Sequence, residues 1–172
     1  MNVICPRCGK DNTVPFSDSV YHTSGFECQD CHHDFGVDDG KTLKEWEDEL
    51  TSFTYEKTTK GGDKRTIKIA PNDKGQIMIT PSILYSNKML QPIAPQDMTP
   101  LWEYLKKLFF EKIYILDWNR TNVGFITGKD ETFSVHMTFA TKQPITITGT
   151  NLFPPYLKIL DQLFDPFFQL EK

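Results

Sequence analysis

The sequence has no uninterrupted apolar run close to the roughly 18–20 residues that a membrane-spanning helix requires. Its first residues, Met-Asn-Val-Ile-Cys, also lack the positively charged and apolar regions of a secretory signal. These two absences predict a cytoplasmic protein with no membrane partner, in which thiols stay reduced. Disorder is not expected, because 38% of the residues are hydrophobic and 13% are aromatic, which is enough for a packed core.

Motifs of the common enzyme classes are also missing. The sequence contains no glycine-rich phosphate loop, no nucleophile elbow and no His-Glu-x-x-His motif. A general base could be assembled from His136 and Asp117, but nothing in their spacing fixes a shared geometry. Other polar candidates fall at predicted strand ends and turns: Asn119, Arg120 and Asn151. We therefore predict that the protein is not an enzyme, and an enzyme built on the C-terminal domain is the least favoured hypothesis.

Cysteine is scarce, yet its four positions form the clearest pattern in the chain. Two Cys-x-x-Cys pairs are separated by nineteen residues, and the positions are Cys5, Cys8, Cys28 and Cys31. Thiolates three residues apart on a turn reach one metal ion at about 2.3 Å, and two such pairs complete a tetrahedron. We predict one structural Zn²⁺ at these cysteines, although iron fits the same ligands. A redox dithiol is the competing interpretation, but it does not explain two pairs.

The residues around the two pairs resemble a zinc ribbon, in which two knuckles hold a tetrahedral zinc ion. The resemblance rests on Cys5-Pro-Arg-Cys-Gly9 and on Phe26-Glu-Cys-Gln-Asp-Cys31 followed by Phe35, and it covers about the first forty residues. It implies a small β module that folds around its metal. One departure is the His32-His33 pair, because ribbons often carry glycine after the last cysteine; a histidine in place of one thiolate therefore stays open. Short strand-like stretches accompany the motif: residues 13–16, 20–21 and 35–37.

Basic side chains are rare in this ribbon. Residues 1–40 hold two basic and seven acidic residues, a net charge of −5, while the other 132 residues carry 17 basic and 16 acidic ones. Because binding to phosphates depends on Lys and Arg, this balance disfavours DNA and RNA. We predict a protein-interaction or adaptor module with an unknown protein partner, contacted through exposed aromatic residues such as Phe16 and Tyr21. Nucleic-acid binding is the alternative, because zinc ribbons often have that function.

Residues 41–65 are predicted to connect the ribbon to a second domain. Thr42 and Glu45 form a capping-box pattern that begins a short helix ending at Leu50. The residues from 58 to 65 are rich in turn formers and charge, which is typical of a flexible linker. A basic cluster around this linker could contact a phosphate backbone, although we interpret it as solvated: Lys57, Lys60, Lys64, Arg65 and Lys68.

The domain at residues 66–172 is predicted to be α+β. Alternating apolar residues predict a hairpin at 66–70 and 76–80, followed by an irregular stretch at 81–97. Thr99 and Pro100 begin one amphipathic helix, and a second helix covers residues 154–164. Further strands are expected between the helices: residues 113–118, 123–127, 132–139 and 144–148. The fold class is therefore an N-terminal zinc ribbon followed by a mostly antiparallel sheet with two helices packed on one face.

The last seventy or so residues also resemble small uncharacterised bacterial α+β domains. Those domains follow a tryptophan strand with an aspartate-glycine turn, a second tryptophan strand, and a Gly-Ser-Asn-Ala-Tyr-Pro turn before a final helix. The matching residues here are Trp118, Gly128, Phe133 in place of the second tryptophan, and the variant turn Gly149-Thr-Asn-Leu-Phe-Pro154. The resemblance implies the fold of this stretch and no activity.

Overall fold

In the computed structural model, which describes residues 3–169, the ribbon forms a three-stranded antiparallel sheet. Its strands are β1 at Thr13–Asp18, β2 at Thr23–Cys28 and β3 at Asp34–Asp38. The predicted strands at 13–16 and 35–37 are confirmed. The prediction for Val20 and Tyr21 is wrong, because both lie in the turn between β1 and β2. Asp18 holds this turn, since its Oδ1 accepts hydrogen bonds from both of their backbone N–H groups, at 2.8 and 3.1 Å.

A short helix leads from the ribbon to the larger sheet. Helix α1 spans Thr42–Glu49, as predicted, but the expected capping box of Thr42 and Glu45 does not form. The Asp39 carboxylate caps the helix by accepting hydrogen bonds from the N–H of Thr42 at 2.7 Å and of Lys41 at 2.9 Å. These bonds satisfy donors that every helix start leaves unpaired, and they lower the pKa of Asp39 to about 2.

Within residues 3–169 the larger sheet has eight strands. They are β4 at Leu50–Thr58, β5 at Lys64–Pro71, β6 at Ile77–Tyr85, β7 at Lys88–Leu90, β8 at Gln96–Asp97, β9 at Thr121–Val123, β10 at Thr132–Phe139 and β11 at Ile145–Thr150. Their order is β7-β6-β5-β4-β10-β11-β9, and β8 pairs with β6. The pairing of β9 with β11 is parallel and the others are antiparallel. The expected α+β fold with a mostly antiparallel sheet is confirmed.

Strand β4 occupies the centre of this sheet, between β5 and β10. The predicted connector at residues 41–65 therefore includes, besides the expected helix, a strand of the larger sheet that the sequence did not indicate. Phe53 and Tyr55 are 0% and 3% exposed, and they alternate with the half-buried Thr54 and Glu56. This alternation is the pattern of a strand with one buried face, and the charge of the neighbouring residues concealed it. The division of the chain into units at residues 1–40, 41–65 and 66–172 stays a prediction.

Both predicted helices after residue 99 are confirmed. Helix α2 spans Trp102–Lys107, between a 3₁₀ turn at Thr99–Leu101 and a π-helical turn at Leu108–Lys112. Helix α3 spans Leu157–Phe164 and continues as a 3₁₀ turn at Asp165–Phe168. No helix within the described residues is long and apolar enough to cross a membrane.

The main core lies between these helices and one face of the larger sheet. The ring of Phe53 on β4 stacks on Phe109 at a centroid distance of 4.1 Å and lies 6.1 Å from the ring of Phe164 on α3. Strand β10 adds its inward side chains, as its alternation predicted: Phe133, Val135, Met137 and Phe139. The opposite face carries polar side chains and no helix of the described chain covers it, so the sheet is buried on one side.

Two predicted strands differ from the structure. Residues 113–118 do not form a strand, because Tyr114 adopts a left-handed conformation with φ of 52° and a 3₁₀ turn follows at Ile115–Asp117. Left-handed backbone is costly for a bulky residue, so no sequence pattern predicts it here. In the predicted strand at 123–127 only Val123 is a strand residue, at the end of β9.

The stretch at 81–97 contains the end of β6 and the short strands β7 and β8, although it was predicted to be irregular. Pro81 suggested a break, because proline has no N–H group for a strand ladder. In the structure Pro81 lies on β6 between Ile79, which pairs with β8, and Ile83, which pairs with β7. Within the described chain no strand pairs with Pro81 on that side, so its missing N–H interrupts no ladder.

Candidate metal centre and its seat

The four cysteines come together in the structure, as their spacing predicted. Their Sγ atoms all lie within 4.8 Å of one another. The sulfurs of Cys5 and Cys31 are 3.7 Å apart, and those of Cys8 and Cys28 are 3.5 Å apart. Four sulfurs at about 2.3 Å from a central zinc ion lie about 3.8 Å from one another. The four side chains therefore have the dimensions of a tetrahedral metal site.

The two Cys-x-x-Cys turns have the same backbone hydrogen bonds. In the first, Gly9 N–H donates to the carbonyl of Cys5 at 3.0 Å, and in the second, His32 N–H donates to that of Cys28 at 2.8 Å. Gly9 and His32 both have left-handed φ angles, of 75° and 52°. His32 thus occupies the position of the glycine in the other turn, which explains why a histidine follows the last cysteine. Its side chain is 76% exposed and lies beside Glu27 at 3.8 Å.

His33 is half-buried, and it is not part of the sulfur cluster. Its ring stacks on Phe35 at a centroid distance of 6.3 Å, and its Nε2 lies 3.6 Å from Oδ1 of Asp117. Among the residues described, the group with metal-binding spacing contains the four cysteines and no histidine. The alternative of a histidine ligand is therefore not favoured by the geometry.

Ionisation of all four thiols in this cluster would require a nearby cation. Burial raises the pKa of the Cys5 thiol, and burial together with the neighbouring Cys8 and Cys28 sulfurs raises that of Cys31 to about 12. Burial opposes ionisation of Cys28 as well, but hydrogen bonds from the backbone N–H of Cys31 and Asp30 outweigh it and lower its pKa to about 7. Thiolates this close repel one another, so all four ionise together only around a metal ion. Four sulfur donors suit Zn²⁺ or iron.

The ribbon has a small core of its own, and one member comes from outside the ribbon. Cys5, Cys28 and Phe35 are fully buried, and Val3, Phe26 and Tyr114 pack against them. The rings of Phe35 and Tyr114 meet edge to face at a centroid distance of 5.2 Å. Tyr114 lies in the left-handed turn that replaces the predicted strand, so this turn aims its ring at the ribbon.

Polar contacts join the ribbon to the same region. Oδ2 of Asp117 accepts a hydrogen bond from Gly36 N–H at 3.1 Å, and its carbonyl accepts one from Nε of Arg7 at 3.4 Å. Tyr156 donates its hydroxyl proton to the carbonyl of Ile4 at 2.8 Å. The residues that hold the ribbon in this way form what we name the ribbon seat: Tyr114, Asp117, Pro155 and Tyr156.

Glycine is required where the ribbon touches the seat. Gly36 has a φ of 59°, and a Cβ there would lie 2.8 Å from Cε1 of Tyr114. Gly9 has a φ of 75°, and a Cβ there would lie 3.4 Å from Cγ of Pro155. The ribbon backbone therefore approaches the seat more closely than a side chain would permit at Gly36.

The structure does not bring His136 and Asp117 together. His136 is exposed on the open face of the larger sheet, where its Nδ1 lies 2.8 Å from Oγ1 of Thr146. Asp117 lies in the ribbon seat, where burial raises its pKa while the Gly36 N–H and nearby cations oppose that rise. The general base that could be assembled from the two residues has no common site.

The other polar candidates act in turns, as interpreted from the sequence. Asn151 has a left-handed φ of 57°, accepts a hydrogen bond from the N–H of Glu131 at 2.9 Å and donates one to Asp130 at 2.7 Å. Asn119 and Arg120 bond to nearby residues of the chain that leads into β9. These contacts explain Asn151 and Arg120 by local structure, whereas Asn119 contributes its backbone carbonyl, which accepts from Asn122.

The basic cluster is divided between the two faces of the larger sheet. Lys57, Lys64, Arg65 and Lys68 lie on β4 and β5 rather than in a linker. Carboxylates neutralise three members: Lys57 with Asp161 at 2.6 Å, Lys64 with Glu56 at 2.9 Å and Arg65 with Asp63 at 3.1 Å. The cluster therefore does not form one basic surface.

Sequence reasoning missed the ribbon seat. Asp117 was considered only as a partner of His136, and Tyr114 and Tyr156 were assigned to a strand and a helix. Their partners in the ribbon lie far away along the chain, for example 152 residues between Ile4 and Tyr156. Without such long-range contacts, the only available signal was that Tyr114 and Tyr156 combine an aromatic ring with a polar tip.

These features define a class of protein. It combines a small β module that carries four clustered cysteines with a larger sheet that helices cover on one face. Comparison of the chain with protein-family models, curated proteins and solved structures found no match. The resemblance of the C-terminal stretch to small bacterial domains therefore stays a prediction.

Proposed function

We propose that Cys5, Cys8, Cys28 and Cys31 bind one structural Zn²⁺. The observation that supports this is the sulfur cluster, in which two distances between the pairs are 3.5 and 3.7 Å and all sulfurs lie within 4.8 Å of one another. When bound, the ion joins the two turns of the ribbon and contributes the folding free energy that a small core lacks. Because four thiolates fill a tetrahedron, no position is left for water, and the site would be structural rather than catalytic.

Metal analysis of the purified protein tests this proposal. We expect about one equivalent of zinc per chain, with iron measured in the same sample, and loss of the metal in Cys31→Ser. The matched control is His32→Asn, which keeps the left-handed turn residue and removes the imidazole; it should retain the metal. Less than about half an equivalent in the unmodified protein, purified without chelator, would refute a resident metal.

We further propose that the protein is a non-enzymatic interaction module whose ribbon contacts a protein partner. The turn between β1 and β2 supports this, because Val20 and Tyr21 are 77% and 75% exposed there. An exposed apolar tip on a module with a net charge of −5 suits a partner with a basic, apolar surface. Phe16 fits this role less well than Tyr21, because its ring packs across the strand pair against Gly25.

Photocrosslinking from the ribbon tip tests the interaction. A p-benzoylphenylalanine at position 21 should crosslink a defined protein in an extract of the source cell. The same group at position 85, where Tyr85 is 56% exposed on β6, provides the matched control. Val20→Ser with Tyr21→Ser should abolish capture by an affinity-tagged chain while the metal content stays unchanged. Equal crosslinking from both positions would argue against the ribbon tip as the contact.

Nucleic-acid binding remains the second candidate function, and it is less well supported. Its strongest sequence feature, the basic cluster, is largely neutralised by carboxylates. A salt-titrated gel shift with DNA and RNA distinguishes the two functions, because phosphate binding is strongest at low salt. Binding at low salt that disappears in Lys64→Gln with Lys68→Gln would favour nucleic acid over a protein partner.

A further inference from the structure

A cavity on the covered side of the larger sheet is lined by charged side chains at positions where the alternation of the strands would place apolar ones. On β4 the inward residue after Tyr55 is Lys57, and on β5 the inward residue before Ile67 is Arg65. Lys57 and Arg65 are direct cross-strand partners. Two like charges opposite each other destabilise a sheet, so a place that keeps both is a candidate for function rather than for folding.

The cavity beside this pair has a volume of about 240 Å³ and aromatic walls. Phe164 at the end of α3 and Phe168 in the following 3₁₀ turn both line it. The guanidinium carbon of Arg65 lies 5.7 Å from the centre of the Phe168 ring. Sites for drug-sized ligands measure roughly 300–1,000 Å³, so this cavity suits a smaller molecule.

One side of the cavity is fully paired. Asp161 on α3 accepts a hydrogen bond from the hydroxyl of Tyr55 at 2.5 Å through Oδ1 and one from Nζ of Lys57 at 2.6 Å through Oδ2. Burial and the neighbouring Asp161 raise the pKa of Tyr55, so the tyrosine stays a neutral donor. The charge of Lys57 is therefore neutralised, and these three residues form a fixed wall.

The other side of the cavity carries charged groups that keep free hydrogen-bonding capacity. Arg65 uses only Nε, which donates to Oδ2 of Asp63 at 3.1 Å, and its two terminal nitrogens have no acceptor among residues 3–169. Two terminal nitrogens of arginine bind a carboxylate in a bidentate manner. Glu131 and Asp165 line the same cavity, and neither forms an ion pair within the described part of the chain.

We propose that this cavity binds a small zwitterion of the α-amino-acid class. The ligand carboxylate would accept hydrogen bonds from the free edge of Arg65. The ligand ammonium would donate to Asp165 and Glu131, and an apolar side chain would pack on Phe164 and Phe168. Such a ligand matches a cavity of this size that offers the two free terminal nitrogens of Arg65 and two carboxylates without an ion-pair partner among residues 3–169. The site is separate from the metal centre and does not depend on the function proposed for the ribbon.

Titration of the zinc-loaded full chain with free L-amino acids, followed by ¹H–¹⁵N NMR, tests this site. At concentrations up to about 10 mM, at least one amino acid should shift the amide signals of β4, β5 and the end of α3 in a saturable manner. The N-acetyl derivative lacks the ammonium and the carboxamide derivative lacks the carboxylate. Each should bind at least about tenfold more weakly, because each loses a charge-assisted contact.

Variants on the two faces of β5 provide the matched control. Arg65→Gln and Asp165→Asn should each weaken binding at least about tenfold. Lys68→Gln removes the same charge from the same strand but on the open face, and it should bind like the unmodified protein. Arg65→Lys keeps the charge without the planar fork and should bind more weakly than the unmodified protein. The spectrum of each variant shows directly whether it is folded.

Several results would overturn the proposal. No saturable shift with any amino acid would remove the site. Equal binding of the N-acetyl or carboxamide derivative would show that the ligand is not recognised as a zwitterion. A response to inorganic phosphate alone would reveal a simple anion site at Arg65. Equal weakening in Arg65→Gln and Lys68→Gln would show that binding is not confined to the covered face.

Discussion

The ribbon and the larger sheet differ in how many apolar residues each of them buries. Among the described residues, the ribbon core contains three buried apolar residues, two of which are cysteines, whereas the core of the larger sheet contains twenty-one. Each large apolar side chain that is fully buried contributes about 1.5–3 kcal/mol. We therefore expect the larger sheet to fold without a metal and the ribbon to need the proposed ion.

This difference predicts where along the chain a metal ion would be needed. Two of the buried ribbon positions are the proposed sulfur ligands Cys5 and Cys28. An aromatic ring from outside the ribbon, that of Tyr114, also packs on Phe35. We expect the proposed ion and this ring together to supply the stability that about forty residues cannot obtain from a hydrophobic core alone.

The largest expected effect comes from removing the metal. Chelation or Cys31→Ser should unfold the ribbon, because structural zinc contributes an apparent free energy of about 10–16 kcal/mol to such modules. Amide signals of β1 to β3 should collapse to random-coil positions in NMR spectra, while those of β4 to β6 and β10 persist. Simultaneous loss of both sets of signals would mean that the two regions fold as one unit.

The reverse experiment weakens the larger sheet. Phe53→Ala removes a fully buried ring between Phe109 and Phe164 and should cost about 3–5 kcal/mol of stability. Thermal unfolding followed by circular dichroism should show a clear fall in midpoint, with one metal still bound at room temperature. Loss of the metal in a folded Phe53→Ala protein would contradict the independence of the two regions.

The contact between the ribbon and its seat should have an intermediate effect. Gly36→Ala places a methyl group 2.8 Å from Tyr114 at a left-handed φ, so it combines a clash with strain. The control is Gly40→Ala, which has a φ of 79° but no atom within 4 Å, and which should cost only about 1–2 kcal/mol of backbone strain. Chemical denaturation should find Gly36→Ala less stable than the control. Equal stability of the two would show that the close contact is unimportant.

The smallest expected effect concerns the helix that joins the two regions. The folded pKa of Asp39 is lowered to about 2, so its cap stabilises α1 fully above the ordinary pKa of aspartate, about 3.9. The stabilisation should be lost as the pH falls from about 4 towards 2. The amide signal of Thr42 should report this titration. Asp39→Asn should remove the pH dependence, whereas Asp73→Asn, which changes a surface carboxylate in another turn, should not.

The parts of the fold that sequence reasoning found are those determined by nearby residues. Each Cys-x-x-Cys turn is closed by hydrogen bonds across four or five positions, so its spacing alone predicts where its two sulfurs lie. The hairpin of β5 and β6 and the pair of β10 and β11 follow from alternating side chains next to turn residues. These signals are local, and the predictions based on them are confirmed.

The parts that it missed depend on distant residues. Strand β4 lies at the centre of the sheet because β10 pairs with it, and no local pattern announces such a partner. The left-handed Tyr114 costs free energy by itself and is maintained by contacts with Phe26 and Phe35 of the ribbon. The predicted cap at Thr42 is also wrong, because the carboxylate of Asp39 accepts hydrogen bonds from the N–H groups of Lys41 and Thr42 at the start of α1.

Strand β4 pairs with β10, which follows it at a long distance in the sequence. This separation has a consequence for how the chain folds as it leaves the ribosome. Thr51 at the start of β4 bonds to Thr138 on β10, 87 residues further along the chain. All four cysteines are synthesised before β4, so the proposed metal site is complete while the central strand still lacks one neighbour. Contacts that span so much of a chain form slowly, and an unpaired central strand is prone to associate with other chains. We therefore expect the nascent protein to be most prone to aggregation after β4 is made and before β10 emerges.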